Sequence, residues 1–262
     1  TNLNNMKNIR SIFTLLIVFA AAFLWGCGDD STTSGNPPGG DKPNIEFKTG
    51  SGFTFTFDTL SRTNGTSVRL NQMTSKDSIE TSFPIGSNTA FRIVSRTDSA
   101  GFISFDTALV YYDANGGKLY QYGLSRLINP TANPNWDLVG DFSLSNGTSW
   151  SVPLNPDTVL INGFSIKVAL SAKVVGPTTF QTTGSPTRDV HCYQIEFKAD
   201  LTYSTLPVGS IFFDYFVGYN NGSSNTSGLV RLRLNPINIG IPPSLVVSNY
   251  GLDKKTSTFN IP

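Results

Sequence analysis

Residues 190–203 read VHCYQIEFKADLTY. On an extended chain His191, Tyr193, Ile195, Phe197, Ala199, Leu201 and Tyr203 share one side, and Cys192, Gln194, Glu196, Lys198 and Asp200 share the other. Successive side chains of a strand point to opposite faces, so this stretch predicts a strand with one face in a core. The same two-residue period runs outward in both directions. Phe164–Val175 sets Phe164, Ile166, Val168 and Leu170 against Ser165, Lys167, Ala169 and Ser171. Residues 53–58, FTFTFD, put three phenylalanines on one face. Gly228–Leu234 alternates Val230, Leu232 and Leu234 with Arg231 and Arg233. Ile211–Tyr219 is apolar on both faces, as a central strand covered on both sides must be.

Further strands are predicted at Val68–Ile79, Thr89–Asp98, Ile103–Tyr112, Lys118–Ser125, Trp136–Phe142 and Thr158–Ile161. Leu245–Val247 reads as a last edge strand. Turn chemistry separates them: Asn64-Gly65, Asp113–Gly117, Asn146-Gly147, Asn155-Pro156-Asp157 and Asn162-Gly163. No segment keeps a helical period. Strands every ten to fifteen residues with short polar turns predict an all-β, single antiparallel meander over residues 44–262, with a β-sandwich as the alternative.

The N-terminal stretch has a different character. Residues 12–25 are apolar apart from Thr14, Lys7 and Arg10 precede them, and no acid occurs before Asp29. About fourteen helical residues span about 21 Å, short of the ~30 Å hydrocarbon core. A basic segment followed by a short apolar one is the layout of a secretory signal peptide over residues 1–26, with Met6 as the expected start. Leu24-Trp25-Gly26-Cys27 resembles the lipobox of bacterial lipoproteins, with Trp25 where that family usually has a small residue. The resemblance implies cleavage before Cys27, lipidation of its thiol and an acylated new N-terminus. Several acyl chains, at about 0.8 kcal/mol per buried methylene, anchor a protein stably where one does not. Residues 27–43 then read as the lipidated cysteine and a tether: GDDSTTSGNPPGGDKP after Cys27 holds no large apolar residue and cannot offset its ordering entropy. Gly28 stands where Asp would resemble an inner-membrane retention signal, and Asp29-Asp30 resembles the acidic stretch of surface-exported lipoproteins of Bacteroidota-like bacteria. Together these resemblances imply an outer-membrane, lipid-anchored location on the periplasmic or cell-surface side.

The body adds a looser resemblance. Trp150, Cys192-Tyr193-Gln194-Ile195-Glu196 and Gly228-Leu229-Val230-Arg231 follow one another as in uncharacterised β-rich lipoproteins of Bacteroidota and Chlorobi-type bacteria. It implies a curved, partly open barrel, similar in shape to the lipoprotein carriers of the outer-membrane localisation system, and with that shape a concave apolar face for a lipid-like ligand.

Of 19 basic and 18 acidic residues only Lys7 and Arg10 precede Cys27, so the mature chain carries a net charge of about −1. That excludes the basic footprint a nucleic-acid partner needs. With Cys27 lipidated, Cys192 is the one cysteine left; no intrachain disulfide or thiolate zinc site can form, and Cys192 is expected to be buried. His191 is the single histidine, and no Gly-x-Ser-x-Gly elbow occurs; Asp189 would share its face, but a packed strand histidine is the expectation. Asp137–Asp141 is too apolar for a calcium loop, and Glu46, Glu80 and Glu196 form no cluster. No metal site, cofactor or catalytic residue is therefore expected.

Asp, then Ser or Thr, then an apolar residue or Thr, occurs six times and resembles the O-glycosylation motif of Bacteroidota-like bacteria. It marks Ser31, Thr59, Ser78, Ser99, Thr107 and Thr158 as candidate acceptors, although the same triplet is also what a strand entry looks like. The functional expectation is a membrane-anchored envelope lipoprotein with a non-catalytic β domain that binds an apolar, lipid-like ligand or an envelope partner. A concave, solvent-open face lined by the phenylalanines would distinguish it. The alternative is a surface adhesin or carbohydrate-binding module, marked by exposed rings such as Tyr111, Tyr112, Tyr120 and Tyr122.

Overall fold

The computed structural model describes residues 42–61, 67–128, 132–161, 164–236, 238–241, 244–247 and 250–262. The signal peptide, Leu24, Gly26, Cys27, Ser31 and nearly all of the tether lie outside the described residues, as do Asn64-Gly65 and Asn162-Gly163.

The strands are β1 (Gly52–Ser61), β2 (Ser67–Ile85), β3 (Asn88–Ser99), β4 (Phe102–Asp113) and β5 (Lys118–Tyr122). A five-residue helix α1 (Leu124–Ile128) precedes β6 (Trp136–Asp141), β7 (Ser149–Val152) and β8 (Thr158–Ile161). Then come the long strands β9 (Phe164–Gln181), β10 (Asp189–Tyr203) and β11 (Leu206–Asn220). The chain ends with β12 (Asn225–Leu234), β13 (Asn238–Ile241), β14 (Ser244–Val247) and β15 (Tyr250–Asn260). One antiparallel sheet orders them β6-β5-β4-β3-β2-β1-β15-β12-β11-β10-β9-β7, with β8 also on β9. It curls into a half-barrel, so the domain is one meander and not a sandwich of two sheets. Twist and the register breaks in β1, β2, β9 and β12 supply the curl. The two ends of the sheet meet through a side chain: the Trp150 indole of β7 donates to the Leu138 carbonyl of β6 at 3.2 Å.

The period of two decides what is buried. In β10, Ile195, Phe197, Ala199 and Leu201 enter the main core, and Val190 and Cys192, of opposite parity, enter a second one with Phe53, Phe55, Phe216 and Val230. Cys192 is buried as expected, its thiol 3.7 Å from the Thr178 carbonyl. β11 is buried continuously from Phe213 to Val217, as a strand covered on both faces requires. Ile45 and Phe47 join the main core ahead of β1, and Tyr112 donates to the Pro43 carbonyl, so the fold takes hold within a few residues of the tether.

Four strand expectations need correction. Leu245–Val247 lies in β14, which pairs only with β13 in a separate two-stranded sheet. The last strand is β15, and it is internal, between β1 and β12. Lys118–Ser125 is a strand only to Tyr122; Gly123 turns the chain at φ 75°, and Ser125 enters α1 with its backbone N–H on the Asp137 carboxylate at 2.8 Å. Phe164–Val175 runs on to Gln181 past a bulge at Val175, and Val68–Ile79 runs on to Ile85.

Candidate functional site

β5 reads Lys118-Leu119-Tyr120-Gln121-Tyr122, and alternation sends Leu119 and Gln121 into the half-barrel. An amide therefore occupies a position that the pattern reserves for an apolar residue. Gln121 is only 6% exposed, and its Oε1 accepts a 2.9 Å hydrogen bond from the Tyr215 hydroxyl of β11. The two line an interior cavity of about 290 Å³. Ile93 and Ser95 of β3, Asp106 and Ala108 of β4, and Leu229 and Leu232 of β12 form its walls, and Arg126 of α1 and Pro134 stand at one side.

Next to this cavity sits an ion pair inside the fold. Lys254 of β15 and Asp77 of β2 are each 1% exposed. The ammonium meets both carboxylate oxygens, at 3.0 and 3.3 Å, and lies 4.0 Å from the centre of the Phe55 ring. The Ser75 hydroxyl donates to the same carboxylate and the Thr97 hydroxyl donates to Ser75. Desolvation pushes the Asp77 carboxyl up, against the pull of Lys254, and pushes the Lys254 ammonium down to about 8. Burial also raises the Tyr215 phenol. Asp106 reaches solvent at the mouth, yet burial on its inner side raises its carboxyl, with Lys254 close enough to oppose the shift.

The phenylalanine face does not line this opening. Phe53, Phe55 and Phe57 are 2%, 0% and 0% exposed, sealed in the fold. Three of the four tyrosines named above gather on the other face of β4–β6 with Trp136. Tyr111 and Tyr120 stack at 4.7 Å between ring centres, and Trp136 meets Tyr111 at 4.9 Å and Tyr122 at 5.4 Å edge to face. Tyr112 points the other way, onto Phe142.

Of the candidate acceptors, Ser99 and Thr107 are exposed and Thr59, Ser78 and Thr158 are half-buried. The Thr59 hydroxyl donates to the Val68 carbonyl and that of Thr158 to Asp157. The aspartates before them have structural work: Asp77 pairs with Lys254, and Asp98 accepts from the Gly101 N–H of the β3–β4 turn. His191 is half-buried, its Nδ1 3.0 Å from the Thr179 hydroxyl, while Asp189 is exposed. Glu46, Glu80 and Glu196 are held separately by Asn44 and Asn220, by Arg92 and by Lys173. Among the described residues no group of three or more His, Cys, Asp or Glu is placed to hold a metal ion.

The fold and cavity define a class: a single curled antiparallel sheet with a polar-floored interior cavity. No family model matches the chain, and no curated protein matches it. Two solved structures resemble its path. One is a Bacteroides fragilis protein assigned as exported, with a YmcC-like fold, at 9% identity and a TM-score of 0.49. The other is a Parabacteroides distasonis protein assigned as a lipoprotein, at 11% identity and a TM-score of 0.48. Each likeness covers 84% of this chain and all of the other.

Proposed function

We propose that this protein is an outer-membrane lipoprotein, anchored through Cys27, whose β domain is a non-catalytic binding module holding a small ligand in the interior cavity. Leu24-Trp25-Gly26-Cys27 and the tether behind it support the anchor. The observation that carries the binding role is Gln121: a buried amide whose Nε2 meets no acceptor among the described residues and which lines a cavity open to solvent. Solvent reaches that donor through the cavity, and a ligand that accepts from it takes the place of water. The cavity walls are part apolar, which fits a ligand with an apolar body, though not one enclosed by the phenylalanines.

The anchor is tested by fractionation. In a host that processes lipoproteins, the wild-type chain is expected in the membrane fraction carrying radiolabelled acyl groups, and Cys27→Ser without them. Unlabelled wild type would refute the anchor. A second reading, a carbohydrate-binding surface, is favoured by the Tyr111–Tyr120–Trp136–Tyr122 cluster, because sugar rings stack on such faces.

A further inference from the structure

Gly123 decides how the cavity opens. β5 pairs with β4 from Lys118 opposite Asp113 to Tyr122 opposite Leu109, and stops there. Carried on in the same register, it would set Ser125 opposite Asp106. Instead Gly123, at φ 75°, turns the chain into α1, and among the described residues Phe102–Ala108 of β4 have no strand on that side. Asp106 from β4 and Arg126 from α1 flank the resulting gap, and among the described residues they are the two charged side chains that line the cavity.

These opposite charges share one small space without pairing with each other. The Asp106 Oδ1 accepts from the adjacent Thr107 N–H, and the Arg126 Nε donates to the Ala132 carbonyl at 3.1 Å. Neither side chain has a further hydrogen bond or ion pair among the described residues, so a carboxylate oxygen and both guanidinium Nη groups stay available. The lining therefore carries no net charge but two separate poles, with the apolar Ile93, Leu229 and Leu232 in the same wall.

We propose that the cavity binds a small zwitterion of the amino-acid type, its ammonium on the Asp106 carboxylate, its carboxylate on the Arg126 Nη groups and its apolar body against Ile93, Leu229 and Leu232. Parallel guanidinium N–H groups match the two oxygens of a carboxylate. A lone ammonium or a lone carboxylate would satisfy one pole and meet the other as a like charge. A neutral apolar molecule would leave both poles to water. At about 290 Å³ the cavity sits at the bottom of the ~300–1,000 Å³ typical of small-molecule sites, which excludes a lipid with full acyl chains. This inference rests on the cavity being the ligand site, and the experiment separates the two.

The full detergent-solubilised chain is titrated with L-phenylalanine and, in parallel, with 2-phenylethylamine and 3-phenylpropionate, following the Gln121 side-chain amide by NMR. Phenylalanine is expected to shift that signal saturably and to bind about tenfold more tightly than either single-charge probe, the worth of the charged hydrogen bond that each of them lacks. Arg126→Gln is expected to abolish its advantage over the amine, and Asp106→Asn its advantage over the propionate, while near-ultraviolet circular dichroism stays that of wild type. Equal binding of all three probes, unchanged in both variants, would overturn the zwitterion assignment and leave the cavity as a site, and so would tighter binding of either single-charge probe. No saturable shift with any probe would overturn both. None of these outcomes bears on the Cys27 anchor.

Discussion

Lys254→Met is expected to destabilise the domain by about 3–5 kcal/mol, because it strands the Asp77 carboxylate in the interior. The double variant Asp77→Leu/Lys254→Met is expected to recover most of that loss, since two apolar side chains fill the space with no charge to desolvate. Urea unfolding of the two variants beside wild type reads both effects. Equal stability of the single and double variants would show that the pair is not the interior unit described here. The pH profile gives a second readout. The folded ammonium releases its proton at about 8, and the ordinary value is 10.5. Between those values the unfolded chain binds the proton that the folded chain has lost, so this group's contribution to stability rises with pH. That rise, from pH 8 upward, is expected in wild type and absent in Lys254→Met.

Gly218→Ala is expected to cost about 3 kcal/mol or more, near the upper end for a group forced into a packed interior. A β-carbon there would stand 1.9 Å from the Thr226 carbonyl oxygen and 2.7 Å from its carbonyl carbon. Backbone must move to admit it, and Thr226 is held in place: its hydroxyl donates to the His191 carbonyl at 2.7 Å and contacts that of Tyr219 at 3.0 Å. The clash falls where the β11–β12 register slips between Gly218 and Asn220. Gly52→Ala is the control, because its β-carbon would meet only the Asp77 carbonyl, at 3.8 Å. Thermal melts should fall by roughly 6–12 °C for Gly218→Ala and far less for Gly52→Ala. Similar melting of both variants would contradict the tight crossing.

The meander was legible wherever apolar and polar residues alternate, as in Phe53–Asp58 and Val190–Tyr203. β15 was not, because its buried positions Asp253, Lys254 and Thr256 are polar and bond to partners far away in sequence. Asp253 itself is raised to about 6 by burial against the pull of Arg231, an interaction no local pattern announces. The phenylalanine stripe fixed a face without saying what covers it; β1 lies mid-sheet with other strands packed over those rings, so an expected open face is a sealed one. The cavity residues come from β3, β4, β5, α1, β11 and β12, and only the curl of the sheet brings them together. One local sign existed: Gln121 at an inward position between Leu119 and the strand end. The lipidation reading runs the other way, carried by residues 24–27 alone.

The most direct test of a lipid-anchored binding protein is the mass of the mature chain purified from the membranes of its own host, measured first under non-denaturing conditions and then denatured. The account predicts a denatured mass for a chain starting at Cys27 with added acyl groups, and a native mass larger by one small organic molecule that denaturation releases. A soluble, unacylated chain with identical native and denatured masses would contradict it.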